Sequence, residues 1–272
     1  DDIGIVASVA TFLATRRLFI VESADFGDQS SGLFFMRVVF ASEAPDFDPA
    51  AFRKEFASLA DEWAMSWTLR SAESRPRVLI MVSKADHCLN DLLYRHRIGA
   101  LGMDIPAIVS NHEDCSWLAE RHEIDFHHVS PAKMGKEAAE ARLFELVESL
   151  DINLVVLARY MQVLSSEACE RLAGRCINIH HSFLPGFKGA RPYHQAWERG
   201  VKLIGATAHY VTPDLDEGPI IAQAVEPADH ADTPASLTAI GRDTEARVLS
   251  QAVKLHIEGR IFLNGDRTVV FA

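Results

Sequence analysis

From Val78 onward the chain repeats one pattern, a short apolar run followed by a stretch with helical spacing. The runs are residues 78–82, 107–110, 125–128, 154–158 and 176–180. Between them, residues 89–94, 115–121, 136–150 and a short segment from Ser165 or Ser166 to Gly174 read as helices. Short buried strands that alternate with helices predict an α/β fold built on a parallel sheet with right-handed crossovers. Near the end, Thr233 and Pro234 are an N-cap and first-turn pair opening a helix to Glu258, with a bend expected at Gly241. Residues 261–263, Asn264-Gly265 and 268–271 then form a hairpin signal.

The first part of the chain has a different rhythm. Apolar residues recur at helical spacing from Ile3 to Leu13, and residues 18–21 and 33–40 read as strands across a turn-forming segment, 25–32. A second helix is expected over 49–63, where Phe52, Phe56 and Leu59 share a face, and a last strand over 65–69. That order, α-β-β-α-β, is one strand short of a ferredoxin-type β-α-β-β-α-β unit, an α+β fold. The polar, proline-terminated residues 71–76 read as a linker, so domains are expected over 1–70 and 77–272. The chain opens on Asp1-Asp2 rather than Met, so something is expected to have stood ahead of it.

Composition removes several classes of function. A formal net charge of -11 repels a phosphate backbone, so no nucleic-acid partner is expected. Apolar runs fall short of a membrane span, and the start has neither the basic nor the apolar region of a signal peptide. Cys88, Cys115, Cys169 and Cys176 form no C-x-x-C pair, which suits free thiols in a reducing cytoplasm.

The chemistry-bearing candidates lie in two segments. On the strand at 176–180, alternation puts Asn178 and His180 on one face and Ile177 and Ile179 on the other. Unpaired polar groups in a doubly buried strand cost on the order of a few kcal/mol, so these two need partners or a purpose. Pro185-Gly186 ends the segment and sets the pair near the strand's carboxyl end, where ligands bind in open α/β sheets. A second strand, 205–211, leads into a loop carrying Asp214, Asp216 and Glu217, which Pro213 and Gly218-Pro219 stiffen. An Asn, a His and an Asp, each at a strand's carboxyl end, make an acid, a base and an oxyanion donor; two satisfied core residues and a solvated loop are the bland alternative.

Asn178-Ile179-His180, Ser182 and Leu184-Pro185, followed by His209, Val211, Leu215-Asp216 and Gly218-Pro219, resemble the two-part signature of folate-dependent formyltransferases. The resemblance implies a Rossmann-type formyltransferase domain with Asn178, His180 and Asp216 as catalytic residues. It implies that Met161, Gln162, Val163 and Leu164 line the pterin, with further substrate contacts at Ser182, Gly189, Ala190, Asp214 and Leu215.

Family members that act on glycinamide ribonucleotide hold the acceptor's phosphate in a glycine-rich loop after the first strand. The equivalent stretch here, Ser83 to Asn90, has no glycine and gains Asp86. Lost backbone freedom and an added carboxylate both disfavour a phosphorylated acceptor, although Lys84 offsets part of the charge. Water is the simplest acceptor left. The segment from Gly186 to Ala196 also resembles the family's deformylase branch. The expected reaction is hydrolysis of 10-formyltetrahydrofolate to formate and tetrahydrofolate, with transfer to an unphosphorylated amine as the alternative.

The first domain resembles an ACT domain, a small amino-acid-sensing module, through its D-x-I-G-I turn and element order. That implies an effector contact at Asp2, Ile3 and Gly4 and a homo-oligomer built through sheet edges. His87, His112, His127, His128, His181, His194 and His209 show neither H-x-x-x-H nor H-E-x-x-H spacing, so no metal and no cofactor beyond the folate substrate are expected.

Overall fold

The computed structural model describes residues 3–42, 47–186 and 192–272. The chain divides into two compact units, residues 1–74 with Phe271 and residues 75–270 with Ala272.

In the first unit, α1 (Ile5–Thr15) is followed by β1 (Leu18–Asp28), β2 (Leu33–Ser42) and α2 (Pro49–Glu62). The Asp48 side chain accepts the Ala50 N–H at 2.8 Å and Pro49 occupies the first turn, so α2 starts where its sequence stops it from starting earlier. Val9, Leu13, Leu18, Phe52, Phe56 and Ala60 form the core. Two expectations change here. Residues 25–28 belong to β1, laddered against β2 from Asp25↔Met36 to Asp28↔Leu33, and only residues 29–32 turn. Ladder pairing overrides the turn preference of Asp25 and Gly27, and the Asp28 carboxylate holds the turn by accepting from Ser30 and Ser31. Residues 65–69 make no ladder; Met65, Trp67 and Leu69 pack on the core at period two without a neighbouring strand among the described residues.

The second unit runs β3 (Arg77–Val82), α3 (His87–Arg97), β4 (Asp104–Ser110), α4 (Ser116–Arg121), β5 (Asp125–His128), α5 (Pro131–Met134), α6 (Lys136–Ser149), β6 (Leu154–Leu157), α7 (Ser166–Arg171), β7 (Cys176–His180), α8 (Pro192–Glu198), β8 (Leu203–Tyr210), β9 (Ile220–Pro227), α9 (Pro234–Ile257), β10 (Ile261–Asn264) and β11 (Arg267–Val270). Its seven-stranded sheet has the order β5-β4-β3-β6-β7-β8-β9. Strands β5 through β7 are parallel as the pattern predicts, but β8 runs antiparallel to β7 and β9 antiparallel to β8, so the sheet is mixed. No strand is expected over β9, Ile-Ile-Ala-Gln-Ala-Val-Glu-Pro, although it carries Ile220, Ile221 and Val225; its pairing with β8 makes it a strand.

Alternate side chains feed two cores. Val78, Ile80, Ile177 and Ile179 pack with α3 and α9, while Leu79, Met81, Val155 and Leu157 pack with α6. Asn178 and His180 lie on the α6 side of β7. All four cysteines are free and buried. Gly241 lies within the continuous helix α9. The closing hairpin pairs Asn264 with Arg267, so its two turn residues are Gly265 and Asp266, one position later than the Asn-Gly signal suggests. No described helix is long and apolar enough to cross a membrane.

Helix α9 begins with a capping box in which the Thr233 side chain accepts the Ser236 N–H and the Ser236 hydroxyl accepts the Thr233 N–H. Thr233→Ala removes the first of these bonds at an exposed position. It is expected to lower the unfolding free energy by about 1 kcal/mol, read as a shift in the denaturation midpoint of the second unit.

Candidate active site

The register between β7 and β8 builds the site. Asn178 faces His209 and His180 faces Thr207 across the antiparallel pair, so all four side chains share one face. His209 Nδ1 lies 2.9 Å from the Tyr210 carbonyl, which only accepts, so that nitrogen carries a proton. In the neutral ring His209 Nε2 is then an acceptor, 3.2 Å from the amide nitrogen of Asn178. The Asn178 amide therefore points its Nδ2 at His209 and keeps a second N–H for a ligand.

Asp216 reaches the same face by a route the sequence does not show. Because β8 runs antiparallel, its carboxyl end lies beside the start of β7 instead of beside His180, contrary to the expectation that all three groups sit at strand carboxyl ends. The loop after β8 arches back. Its base is cinched by Val211 N–H donating to Cys176 O and Tyr210 N–H donating to Pro219 O, both at 2.9 Å. Asp216, at φ 58°, takes a left-handed backbone conformation. Its Oδ1 then lies 3.2 Å from His180 Nδ1 and 3.7 Å from His209 Nε2.

Burial pushes the Asp216 carboxyl up, but the hydrogen bond from His180 and the polar surroundings that include the His209 ring outweigh it and hold the carboxyl well below the usual carboxylate range. The carboxylate accepts the His180 Nδ1 proton, which leaves Nε2 as the free ring nitrogen. That atom is buried and has no hydrogen-bond partner among the described residues. A buried orphan nitrogen on a ring oriented from its other side is what an absent substrate would satisfy.

The other predicted contacts fall out differently. Met161 is anchored at its backbone, where its N–H donates to the hydroxyl of buried Ser83, which donates in turn to Asn111 Oδ1. Gln162 and Val163 are exposed, Leu164 is buried, and Gln162 borders two concavities. One is mainly apolar, between Tyr160, Leu164 and α6; the other is polar, with Asn111, His128 and Lys133. Neither includes Asn178, His180 or Asp216, which are recognised by their geometry instead. The Ser182 hydroxyl donates to Gly186 O at 2.9 Å, a bond that closes the turn after β7. Asp214 and Leu215 are exposed in the arched loop, and Asp214 offers its carbonyl to Thr212. Gly189, Ala190 and Asp2 lie outside the described residues. Ile3 is fully exposed, and Gly4 precedes α1 at φ 113° against the Trp63 ring.

Sequence reasoning missed four groups of residues. Thr207 ties the turn after β7 by donating to Ser182 O and accepting from Leu184 N–H and Gln223 Nε2. His209, matched in the motif but given no role there, joins the candidate site through Asn178 and Asp216. Burial, with the neighbouring Arg159 and His180, holds the His181 imidazole down at about 4. Glu245 of α9, buried at 1% exposure, pairs with His87 at 2.9 Å and Arg159 at 3.3 Å. With Cys88, His87 and Glu245 also form a group of donors within 4.8 Å of one another, which spacing could not reveal across so many residues. That carboxylate is already partnered, and burial pushes the Cys88 thiol well up, away from the ligating thiolate.

Asn178 and His180 thus share one face of the mixed sheet, with Asp216 against His180. The family model described as formyl transferase matches residues 76–253. The chain is 53% identical over 99% of its length to a formyltetrahydrofolate deformylase from Corynebacterium sp. (strain P-1), covering 94% of that protein. A crystal structure of formyltetrahydrofolate deformylase from Burkholderia mallei ATCC 23344 superposes with TM-score 0.95 at 53% identity, covering 100% of this chain and 96% of that one. Glycinamide ribonucleotide transformylase 1 from Symbiobacterium toebii matches 76% of this chain and 99% of its own at 30% identity and TM-score 0.70. The chain belongs to the formyl transferase family and, over its full length, to the formyltetrahydrofolate deformylases within it.

Two measurements check this geometry. A Cβ on Gly218 stands 1.8 Å from the Tyr210 carbonyl oxygen, so Gly218→Ala forces the loop base apart. It should cost about 1–3 kcal/mol and lower turnover by moving Asp216. His181, depressed in the fold, binds a proton more readily when unfolded, so it adds stability that is full above about pH 6.5 and lost as pH falls through about 4. His181→Gln should flatten the fall in melting temperature across that window.

Proposed function

We propose that this chain hydrolyses 10-formyltetrahydrofolate to formate and tetrahydrofolate, supplying formate for purine synthesis and balancing the one-carbon folate pools. The orphan Nε2 of His180, on a ring whose Nδ1 is held by Asp216, carries the reading. In the neutral ring that nitrogen offers a lone pair. It takes a proton from the attacking water, and the imidazolium so formed is stabilised by the Asp216 carboxylate. A carboxyl held far below neutral is a weak base, so the proton passes through the ring instead of directly to Asp216. The free N–H of Asn178 donates to the oxyanion of the tetrahedral intermediate, a bond typically worth about 3 kcal/mol. Collapse breaks the formyl C–N bond, and His180 returns its proton to the departing folate nitrogen.

The chemistry needs neither a redox group nor a metal-bound water, since the amide carbonyl is the electrophile and the imidazole the base. Folate recognition falls to Met161, Gln162, Val163 and Leu164, whose anchored backbone and apolar cavity suit a flat aromatic ring, with Ser182, Gly189, Ala190, Asp214 and Leu215 around the formyl end. The chain acts in the cytoplasm. Its first unit takes a small amino-acid effector near Asp2, Ile3 and Gly4 and mediates homo-oligomer formation. The exposed apolar side chains Phe19, Val21 and Leu33 on its hairpin support that role.

The decisive assay is formate release from 10-formyltetrahydrofolate with no amine added. Steady release is expected; release only on adding an amine would make the chain a transferase. Asp216→Asn keeps the shape of the pair and removes its charge, and kcat should fall by roughly 10²- to 10⁴-fold. Asn178→Ala should cost about 10²- to 10³-fold. Near-wild-type kcat in the Asp216→Asn protein would falsify the assignment.

A further inference from the structure

Of the Ser83 to Asn90 stretch, which the family resemblance sets on the acceptor side, the loop ends at Asp86 and His87 opens the first turn of α3. His87 Nε2 lies 2.9 Å from Glu245 Oε2, Arg159 Nε lies 3.3 Å from the same oxygen, and the Tyr193 hydroxyl donates to Glu245 Oε1 at 2.5 Å. One buried carboxylate of α9 thus gathers side chains from α3, from the end of β6 and from α8. Burial works against its charge, but the bonds from His87, the Arg159 charge and the Tyr193 hydroxyl keep it ionised.

The seat for Tyr193 is cut into α9. Gly241 stands one turn before Glu245, and a Cβ there would lie 2.1–2.4 Å from the Tyr193 ring and its hydroxyl. Glycine inside a helix costs about 1 kcal/mol relative to alanine. Here it lets the ring lie on the helix backbone with its hydroxyl on Glu245. The Tyr193 and His181 ring centroids are 6.4 Å apart, and those of His181 and His180 are 5.0 Å apart. A row of rings therefore runs from the proposed catalytic base to the locked tyrosine.

We infer that Tyr193, seated on Gly241 and tied with His87 to Glu245, closes the acceptor side of His180 and makes water the only nucleophile that reaches the formyl carbon. Tyr193 is then a specificity-determining residue, and the inference rests on the hydrolase reading above. With the plug removed, a small primary amine takes water's place. Its nitrogen bonds to the formyl carbon, the bond to the folate nitrogen breaks, and the proton lost by the amine goes to that nitrogen. The products are a formamide and tetrahydrofolate.

Hydroxylamine is the probe, because formyl transfer to it gives formohydroxamate, which is measured beside formate in one reaction. The full chain and its Tyr193→Ala, Tyr193→Phe and Gly241→Ala variants are incubated with 10-formyltetrahydrofolate and hydroxylamine. The ratio of formohydroxamate to formate is read after each is shown by circular dichroism to be folded. The wild type should give formate almost alone. Tyr193→Ala, which empties the space, and Gly241→Ala, which expels the ring while improving helix propensity, should raise the ratio by about tenfold or more. Tyr193→Phe keeps the ring and should stay near the wild type. Because a ratio is read, a general loss of activity does not imitate the effect. Folded alanine variants with the wild-type ratio overturn the inference and leave the hydrolase reading intact. Unfolding of both overturns it as well, by making the cluster a support of the sheet. Failure of the wild type to release formate without an amine strikes the hydrolase reading itself.

Discussion

The antiparallel pairing of β7 with β8 is the constraint on which the site depends. It sets Asn178 opposite His209 and His180 opposite Thr207, and so fills one face of two inner strands with polar groups that satisfy one another. A one-residue slip of β7 would turn Asn178 and His180 toward the α3 and α9 side, where Ile177 and Ile179 now sit. The hydrocarbon on that opposite face therefore holds the polar face in place. Thr207 extends the same control to the backbone beyond β7, since its hydroxyl bonds to Ser182, Leu184 and Gln223 hold the turn against the sheet.

Within that frame, charge is handled by pairing. Asp216 beside His180 and Glu245 beside His87 are two carboxylates that are each kept ionised against burial by specific partners. Asp216 orients the His180 ring. Glu245 orients a tyrosine, a histidine and an arginine away from bulk water. His181 feels both carboxylates and is nonetheless held down by burial and by Arg159.

Much of this was legible in the chain. Period-two alternation separates Asn178 and His180 from Ile177 and Ile179, because strand geometry allows only two faces, and the α/β class follows from short apolar runs spaced by helices. The loop stiffened by Pro213, Gly218 and Pro219 marks Asp216. Strand β9 was not legible, since Ile220 and Ile221 are followed by Ala, Gln and Ala without a clear apolar alternation, and it is the ladder with β8 that makes the segment a strand. Residues 25–28 read as turn for the converse reason, local preference being overruled by a ladder.

The sequence by itself determined the class of fold, the shared face of Asn178 and His180, and, through its two-part motif, the family. Only the tertiary structure decided how Asp216 reaches His180, which ring nitrogen is left free, and that Glu245 gathers His87, Arg159 and Tyr193. The physical reason is distance along the chain. Periodicity reports on neighbours a few residues apart, whereas His87 and Glu245 are brought together by helix α9 packing across α3, an outcome of burying both apolar faces that no local pattern records.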